Sequence, residues 1–439
     1  MKLSRTLAAV PFRAVLLAFL GLSASSVAAC QSSEPRAARA PEATSATTTA
    51  TAPKNEASSP KEDGLAHALD AVVDNAIASQ AIVGGVVVVV RDGHVVYHRA
   101  AGLADREAAR PVQEDTVFRL ASMTKPLVSA TALALVDEGV LKLDDPVTKY
   151  LPTFKPKLAN GKQPVITVRQ LLTHTSGLDY GMEKATAAPF HRAHASNGID
   201  RPGLSLEENL SRLNQVPLLF EPGTKWNYSM STDVLGGVVA KASGLSLPEA
   251  VQKFVTGPLA MKATGFAPPT PSERLAIPYA DGSPRPSRMN DGQVVPFYTS
   301  NITFAPSRLF DSRSYPSGGG GMIGTADDYV RFLETVRTGG GTILKPATAK
   351  AMIENQVGDV DVTAAGPAYG WSFGFAVQKK QDPSTPSNVG TFYWGGVYGN
   401  SFFVDPVAKL TVVVLTNTAV AGMAGPFPDA VKKAVYAAK

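Results

Sequence analysis

Runs of β-branched and aromatic residues lie near both ends of the folded part of this 439-residue chain. Residues 86–90 are all valine, Asp92-Gly93 follows as a turn signal, and alternation over 94–100 completes a predicted β-hairpin. Further strands are predicted late in the chain, at residues 371–377, 391–394, 401–404 and 410–415. Because strands need partners, we expect both ends to share one antiparallel sheet, with a mostly helical lobe over roughly residues 123–316 inserted between them.

The predicted fold class is therefore α+β, an antiparallel sheet flanked by helices. Apolar spacing predicts an amphipathic helix over 64–79, and a closing helix is predicted over 427–438. Thr167 is a fair N-cap for a helix that ends at residue 172, and Thr325 begins another. Residues 266–316 are rich in proline and are expected to be an irregular region beside a cleft.

The charge of the chain gives no indication of a nucleic-acid partner. The formal net charge is +5 and three of the cations, Lys2, Arg5 and Arg13, lie in the first 29 residues, which hold no acid. Subtracting these 3 charges from 5 leaves about +2 for the remainder, without a basic run. A nucleic-acid-binding function is therefore not expected.

The N-terminal segment has the features of a bacterial lipoprotein leader. Residues 1–29 combine a basic start with a short apolar core, as in a secretory signal. Val27-Ala28-Ala29-Cys30 resembles a lipobox, and Cys30 is the only cysteine in the chain, so no intrachain disulfide can form. We expect lipidation at Cys30; the alternative is ordinary cleavage after Ala29 that leaves a free thiol.

This leader predicts an exported protein, anchored by lipid to the cell envelope. Gln31 is not the aspartate that would favour inner-membrane retention, which makes an outer-membrane or periplasmic-face location plausible. Residues 30–62 contain Ser, Thr, Ala and Pro with almost no large apolar side chain, and are predicted to be a disordered tether. The folded domain then covers residues 63–439.

Ser122-Met123-Thr124-Lys125 is the strongest chemical signal in the folded part. A good helix pattern follows it, so Ser122 and Lys125 should share one helix face. A serine needs an adjacent base to act as a nucleophile, and a desolvated lysine can serve. The four-residue motif is weak alone, because it also describes a capping serine with an exposed lysine.

Other possible sites are less convincing. His174 fits a structural residue at a helix end, and His191 and His194 form a pair without a third ligand, so no metal is expected. The four glycines at 318–321 lack the Gly-Lys-Ser/Thr of a phosphate loop and suggest close packing beside a cleft. No cofactor is predicted.

Several motifs together resemble the serine β-lactamase-like superfamily, which includes class C β-lactamases, D-Ala-D-Ala carboxypeptidases and family VIII carboxylesterases. They occur in the family's order and cover roughly residues 64–439. The resemblance implies a β-lactamase/transpeptidase-like fold. The matching stretches are residues 89–93, 122–125, 171–178, 222–229, 318–328 and 394–396.

The resemblance also implies roles for individual residues. Ser122 would be the nucleophile, with Lys125 relaying protons to it, and Tyr228 would be the general base and later the acid. A phenol can do this only if nearby cations such as Lys125 lower its pKa. The backbone N–H groups of Ser122 and Val397 would form the oxyanion hole.

Two departures from the β-lactamase pattern point to an esterase. Trp394-Gly395-Gly396 replaces Lys-Thr-Gly, so no lysine at this place holds a substrate carboxylate. Tyr228-Ser229-Met230 lacks the asparagine of Tyr-x-Asn. Family VIII carboxylesterases resemble this chain at Trp394-Gly395-Gly396, which are expected to contact substrate.

The leading prediction is an acyl-enzyme serine hydrolase on short-chain esters. The alternatives are a β-lactamase or D-Ala-D-Ala carboxypeptidase acting on an amide, and a catalytically weak penicillin-binding or envelope-sensing protein. A conventional α/β-hydrolase is disfavoured, since the sequence has no Gly-x-Ser-x-Gly. The sequence sets neither the natural substrate nor the oligomeric state.

Overall fold

The computed structural model describes residues 60–182, 187–298, 300–362 and 365–438. These residues belong to one compact unit, Ala57–Lys439. The predicted leader, Cys30 and nearly all of the tether lie outside the described residues, so those predictions stay predictions.

Ten α-helices are assigned in the described residues. Helix α1 begins four residues before the predicted 64–79, because Pro60 suits the first helical position, where the missing N–H is not needed. Thr167 caps α3 in a reciprocal capping box with Gln170, as predicted. The helices are α1 Pro60–Ala78, α2 Thr124–Asp137, α3 Val168–Leu172, α4 Ala187–Arg192, α5 Leu206–Leu213, α6 Ser231–Ser243, α7 Leu247–Val251, α8 Ala326–Arg337, α9 Pro346–Ile353 and α10 Pro426–Ala437.

The strands form one large sheet and three small pairs within the described residues. Eight strands form the large sheet in the order β10-β11-β12-β13-β14-β1-β2-β3. The strands are β1 Gly84–Arg91, β2 His94–Asp105, β3 Arg110–Pro111, β4 Phe118–Arg119, β5 Tyr279–Ala280, β6 Ser287–Arg288, β7 Gln293–Phe297, β8 Ser300–Phe304, β9 Ile323–Gly324, β10 Tyr369–Trp371, β11 Ala376–Gln378, β12 Phe392–Gly396, β13 Asn400–Asp405 and β14 Leu410–Thr416.

The two ends of the chain meet at strand β1. It pairs antiparallel with β2 on one side and β14 on the other, so Val88 lies opposite both His98 and Val413. The predicted antiparallel sheet built from both ends is confirmed. Because the sheet closes across more than 300 residues, elements far apart in sequence are held at fixed positions relative to one another.

Both faces of this sheet are covered, which explains the unbroken valine run. Val87 and Val89 belong to a cluster with the inner faces of α1 and α10, including Leu69 and Val431. Val88 belongs to the larger core that contains α2, α6 and α8. A strand buried on both faces favours apolar residues at every position rather than alternation.

Helix α2 is the central element of the larger core. Every residue from Thr124 to Leu135 is buried, including its lysine. A helix buried on all sides has no polar face, in agreement with its apolar sequence. It follows directly on a 3₁₀ turn, Ala121–Met123, so its first turn lies next to the small β4–β9 pair.

Two predictions about strands were wrong. Residues 371–377 are not one strand, because the chain reverses at Gly374, between β10 and β11. The φ of Gly374 is 136°, a conformation that glycine adopts readily and other residues rarely do. Residues 266–316 are not wholly irregular, since β7 and β8 form a hairpin with Val295 and Ile302 buried opposite each other. Strand β7 was not predicted because it contains Pro296, and proline is rare inside strands, although an edge strand tolerates it.

No single helix in the described ranges is long and apolar enough to cross a membrane. Helix α6 and the segment Leu247–Thr256 reach such a length and composition only as a pair, across a bend of 80°.

Candidate active site

Ser122 lies in the 3₁₀ turn that joins β4 to α2. Ala121, just before it, has a φ of 46°, in the left-handed region that residues other than glycine seldom adopt. The turn packs against strand β12: a Cβ placed on Gly396 would lie 2.2 Å from the Leu120 carbonyl oxygen. Only glycine permits this approach, which brings the end of β12 beside Ser122.

Lys125 lies one turn after Ser122 and is almost completely out of water, with 1% of its surface exposed. Its Nζ donates a hydrogen bond to the Gly319 carbonyl at 2.7 Å and lies 3.3 Å from the Ser122 hydroxyl. Burial lowers the pKa of Lys125 to about 7, and the charge of Asp233 opposes this only in part. A lysine in this state can accept a proton at neutral pH.

Tyr228 places its phenol between Ser122 and strand β12. Its oxygen accepts a hydrogen bond from Trp394 Nε1 at 3.0 Å, and the Ser122 hydroxyl also influences the pKa of the phenol. Lys125 Nζ lies 4.6 Å from the centre of the tyrosine ring. The structure thus brings together the three residues that the sequence assigned to catalysis.

The electrostatic condition that the sequence set for Tyr228 is not met. Burial raises the pKa of Tyr228 above its ordinary value, although the Ser122 hydroxyl and the Trp394 N–H both act to lower it. Lys125 does not reverse this, because its own burial lowers its pKa and favours the neutral amine. This direction is opposite to the one that a Tyr228 base requires, so burial favours the protonated phenol.

Rings pack closely behind Tyr228. Trp371 and Trp394 lie 4.6 Å apart edge to face, and His174 lies 4.8 Å from Tyr228 between ring centres. His174 is buried, its Nδ1 accepts a hydrogen bond from the Ser229 N–H at 3.3 Å, and burial lowers its pKa well below 6.5. His174 is thus a neutral structural residue, as the sequence predicted.

Asp233 is a buried carboxyl that the sequence analysis missed. It lies on α6, five residues after Tyr228, with 1% of its surface exposed. Its Oδ1 accepts a hydrogen bond from the Ser317 hydroxyl at 2.6 Å, and burial raises its pKa. An aspartate inside the apolar stretch 232–242 was the available signal, since buried carboxyls are seldom found without a partner.

The glycine segment 318–321 links Asp233 to Lys125. Gly319 accepts the lysine's hydrogen bond through its carbonyl and packs closely against Asp233. A Cβ on Gly318 would lie 2.5 Å from the Thr232 carbonyl oxygen, and one on Gly319 would lie 2.2 Å from Asp233 Oδ2. The segment is therefore close backbone packing beside the site, as predicted.

Strand β12 contributes the third part of the site. Trp394, predicted as a substrate contact, is partly buried and also orients Tyr228 through its indole N–H. Gly395 packs closely, since a Cβ there would lie 2.5 Å from Met423, and Gly396 contacts the Ser122 turn. Val397 follows directly, and its carbonyl accepts a hydrogen bond from the Val420 N–H at 3.1 Å.

An apolar surface surrounds the serine turn. Ala121, Ile199 and Tyr398 belong to one buried cluster, and its partly buried members are Met182, Phe297, Val397 and Val420. Phe297 comes from the β7–β8 hairpin, so the Pro-rich region does contribute to the surroundings of the cleft.

The chain matches the β-lactamase family, and known proteins with similar sequences and structures include esterases. The profile of the β-lactamase family matches residues 69–435. Esterase EstB of Burkholderia gladioli is 48% identical over 379 residues, which cover 85% of this chain and 95% of that one. The solved structure of EstCE1, described as a hydrolase with promiscuous acyltransferase activity, is 42% identical with a TM-score of 0.83 and covers 86% of this chain and 100% of its own.

A more distant neighbour shares the fold alone. A LovD6 mutant of simvastatin synthase from Aspergillus terreus is 23% identical, with a TM-score of 0.66, and covers 84% of this chain and 94% of its own. The predicted resemblance is confirmed by the family match and by the two esterase relatives. The chain belongs to the β-lactamase family and is a serine hydrolase of its carboxylesterase type.

Proposed function

We propose that the protein hydrolyses short-chain, uncharged acyl esters through an acyl-enzyme on Ser122. The observation that carries this proposal is the contact between Trp394 Nε1 and the Tyr228 oxygen. Where Lys-Thr-Gly relatives have a lysine, this chain has an indole whose single donor already binds the tyrosine. An acidic substrate finds no cation there, while an uncharged ester needs none.

In this mechanism Lys125 is the base for acylation. Its neutral amine accepts the proton of the Ser122 hydroxyl as Oγ attacks the ester carbonyl. The negative charge moves to the carbonyl oxygen, where the N–H groups of Ser122 and Val397 stabilise it. We assign the role of base to Lys125 rather than to Tyr228, because burial favours the protonated phenol.

Tyr228 is then the acid. Its proton moves to the departing alkoxide as the C–O bond breaks, and the Lys125 ammonium, which lies against the tyrosine ring, returns a proton to the phenolate. Water attacks the acyl-enzyme in the second half, with its proton passing to the same groups and on to Ser122. The proton that leaves with the alcohol is replaced by one from this water, so Ser122, Lys125 and Tyr228 end in their starting protonation states.

The surroundings favour small apolar acyl groups. Met182, Phe297 and Val397 present apolar surface near the serine turn, and Trp394 adds an aromatic wall. Burial of apolar acyl carbons here would contribute about 0.8 kcal/mol per methylene group. EstB is named an esterase and EstCE1 a hydrolase with acyltransferase activity, which supports an ester as the acyl donor.

A first test compares ester and lactam substrates. We expect turnover of p-nitrophenyl acetate and butyrate with little hydrolysis of nitrocefin, and Ser122→Ala should lower ester turnover at least about 1,000-fold. Ser129→Ala is the matched control, since Ser129 is a buried serine on helix α2, which follows the Ser122 turn. Fast nitrocefin turnover would make the protein a β-lactamase, and stoichiometric penicillin labelling without turnover would indicate a penicillin-binding sensor.

A second test addresses the indole that orients Tyr228. Trp394→Phe keeps an aromatic ring but removes the donor, so kcat for p-nitrophenyl butyrate should fall about 3–10-fold, the effect of one hydrogen bond. Trp226→Phe is the control, because the Trp226 N–H is buried nearby without a partner in the described residues. Equal loss in both variants would contradict the role of Trp394.

The third test is the pH dependence of kcat/KM. Because the pKa of Lys125 is about 7 and its neutral form is active, kcat/KM should fall about tenfold per pH unit below 7 and level off above it. His191→Asn should leave this limb in place, since His191 is exposed and unconnected with the site. A profile that is flat between pH 5.5 and 8 would remove Lys125 as the base.

We also propose that the protein is exported and anchored to the cell envelope through a lipid on Cys30. The stretch Val27-Ala28-Ala29-Cys30, which resembles a lipobox, supports this proposal. Lipidation would also explain why an exported protein has a single cysteine. One acyl chain binds membranes only marginally, so stable anchoring requires the several chains of a bacterial lipoprotein.

Substitution of this cysteine tests the anchor. Cys30→Ser should shift the protein from the membrane fraction of the cell to the soluble fraction and abolish labelling by radioactive palmitate. Gln31→Ser is the matched control and should leave both unchanged. Equal palmitate labelling of the Cys30→Ser variant would show that Cys30 is not the acceptor.

A further inference from the structure

A small cavity lies behind the serine turn. It has a volume of about 40 Å³, room for a few waters or one small anion. Its lining includes Arg119 from β4, Arg308, Tyr398 and the backbone of Gly320 and Gly321. The cavity therefore borders the same glycine segment that binds Lys125, but on the side of β4.

Two arginines face this cavity without a carboxylate partner. Arg119 donates to the carbonyls of Ala276 at 3.1 Å and Pro306 at 3.3 Å, and Arg308 donates to that of Tyr315 at 2.7 Å. These partners are neutral. Arg308 is 8% exposed, and the Nε atoms of both arginines are buried without a hydrogen-bond partner in the described part of the chain.

The acids that interact with these arginines through space are bound elsewhere. Asp233, which attracts Arg308, accepts the Ser317 hydroxyl, and its own burial favours the neutral acid. Asp291, which attracts Arg119, accepts the Ser307 N–H and hydroxyl. Asp311 attracts Arg308 from the surface, where it forms an ion pair with Arg313 at 3.0 Å.

The positive charges of Arg119 and Arg308 therefore have no bound carboxylate beside the cavity in the described residues. Guanidinium groups stay charged in proteins, and a buried charge without an opposite charge is costly unless polar groups satisfy it. The free Nε–H groups have the chemistry that binds oxyanions by charge-assisted hydrogen bonds. A water molecule in the cavity could accept hydrogen bonds from these Nε–H groups, but it would not neutralise the positive charge of the two arginines.

We propose that the cavity between Arg119 and Arg308 binds a small tetrahedral oxyanion such as phosphate or sulfate. The anion accepts from both Nε–H groups and offsets the two positive charges. The cavity shares Ile199 and Tyr398 with the apolar surface around the serine turn, but the proposal does not depend on the proposed hydrolysis. It also places a bound anion directly behind the glycine segment that positions Lys125.

Thermal unfolding with added anion tests the site. Titration of the purified protein with phosphate or sulfate against chloride, at constant ionic strength, should raise Tm saturably, by about 2 °C at ten times Kd. Arg308→Gln should lose the shift. Arg313→Gln is the matched control on the same segment, because Arg313 is 80% exposed and should keep the shift.

Crystals of the wild-type protein soaked in selenate give a readout that does not depend on folding of a variant. An anomalous selenium peak within hydrogen-bond distance of both Nε atoms is the expected result. Water alone at that position, or a saturable Tm shift that survives Arg308→Gln, would overturn the proposal.

Discussion

Lys125 is held out of water between the Ser122 hydroxyl, the Gly319 carbonyl and the face of the Tyr228 ring. A charged ammonium would lose its hydration there, and the few polar contacts do not replace it. A pKa near 7 in place of 10.5 shifts the protonation equilibrium toward the neutral amine by about 5 kcal/mol relative to a lysine in water. The rest of the site is arranged around this burial.

The large sheet maintains that arrangement. Strand β1 pairs with β14, so the first and last parts of the chain hold α2 and β12 in a fixed relation. Gly396 then allows β12 to contact the Leu120 carbonyl, which places Val397 near Ser122 and Trp394 against Tyr228. Leu120 and Gly396, more than 270 positions apart, come into contact because the sheet closes the chain on itself.

The glycine segment connects the site to its surroundings. On one side Gly319 binds Lys125 and packs against Asp233, and on the other Gly320 and Gly321 line the cavity of Arg119 and Arg308. Buried groups of both signs therefore lie within one packed unit. In a low-dielectric interior such groups influence each other more strongly than they would in water.

The sequence by itself determined the antiparallel sheet from both chain ends, the helix after Ser122 and the motifs of the family, because these depend on local pattern and residue order. It did not separate β10 from β11 or reveal the β7–β8 hairpin, since glycine and proline blurred the strand pattern. Only the tertiary structure decided that Asp233 lies behind the lysine and that Trp394 binds Tyr228. It also set the electrostatics of the site: motif spacing places Tyr228 near a cation, but burial lowers the pKa of Lys125 to about 7 and raises that of Tyr228. The burial of a side chain depends on how the whole chain packs, so it could not be predicted from the motif residues alone.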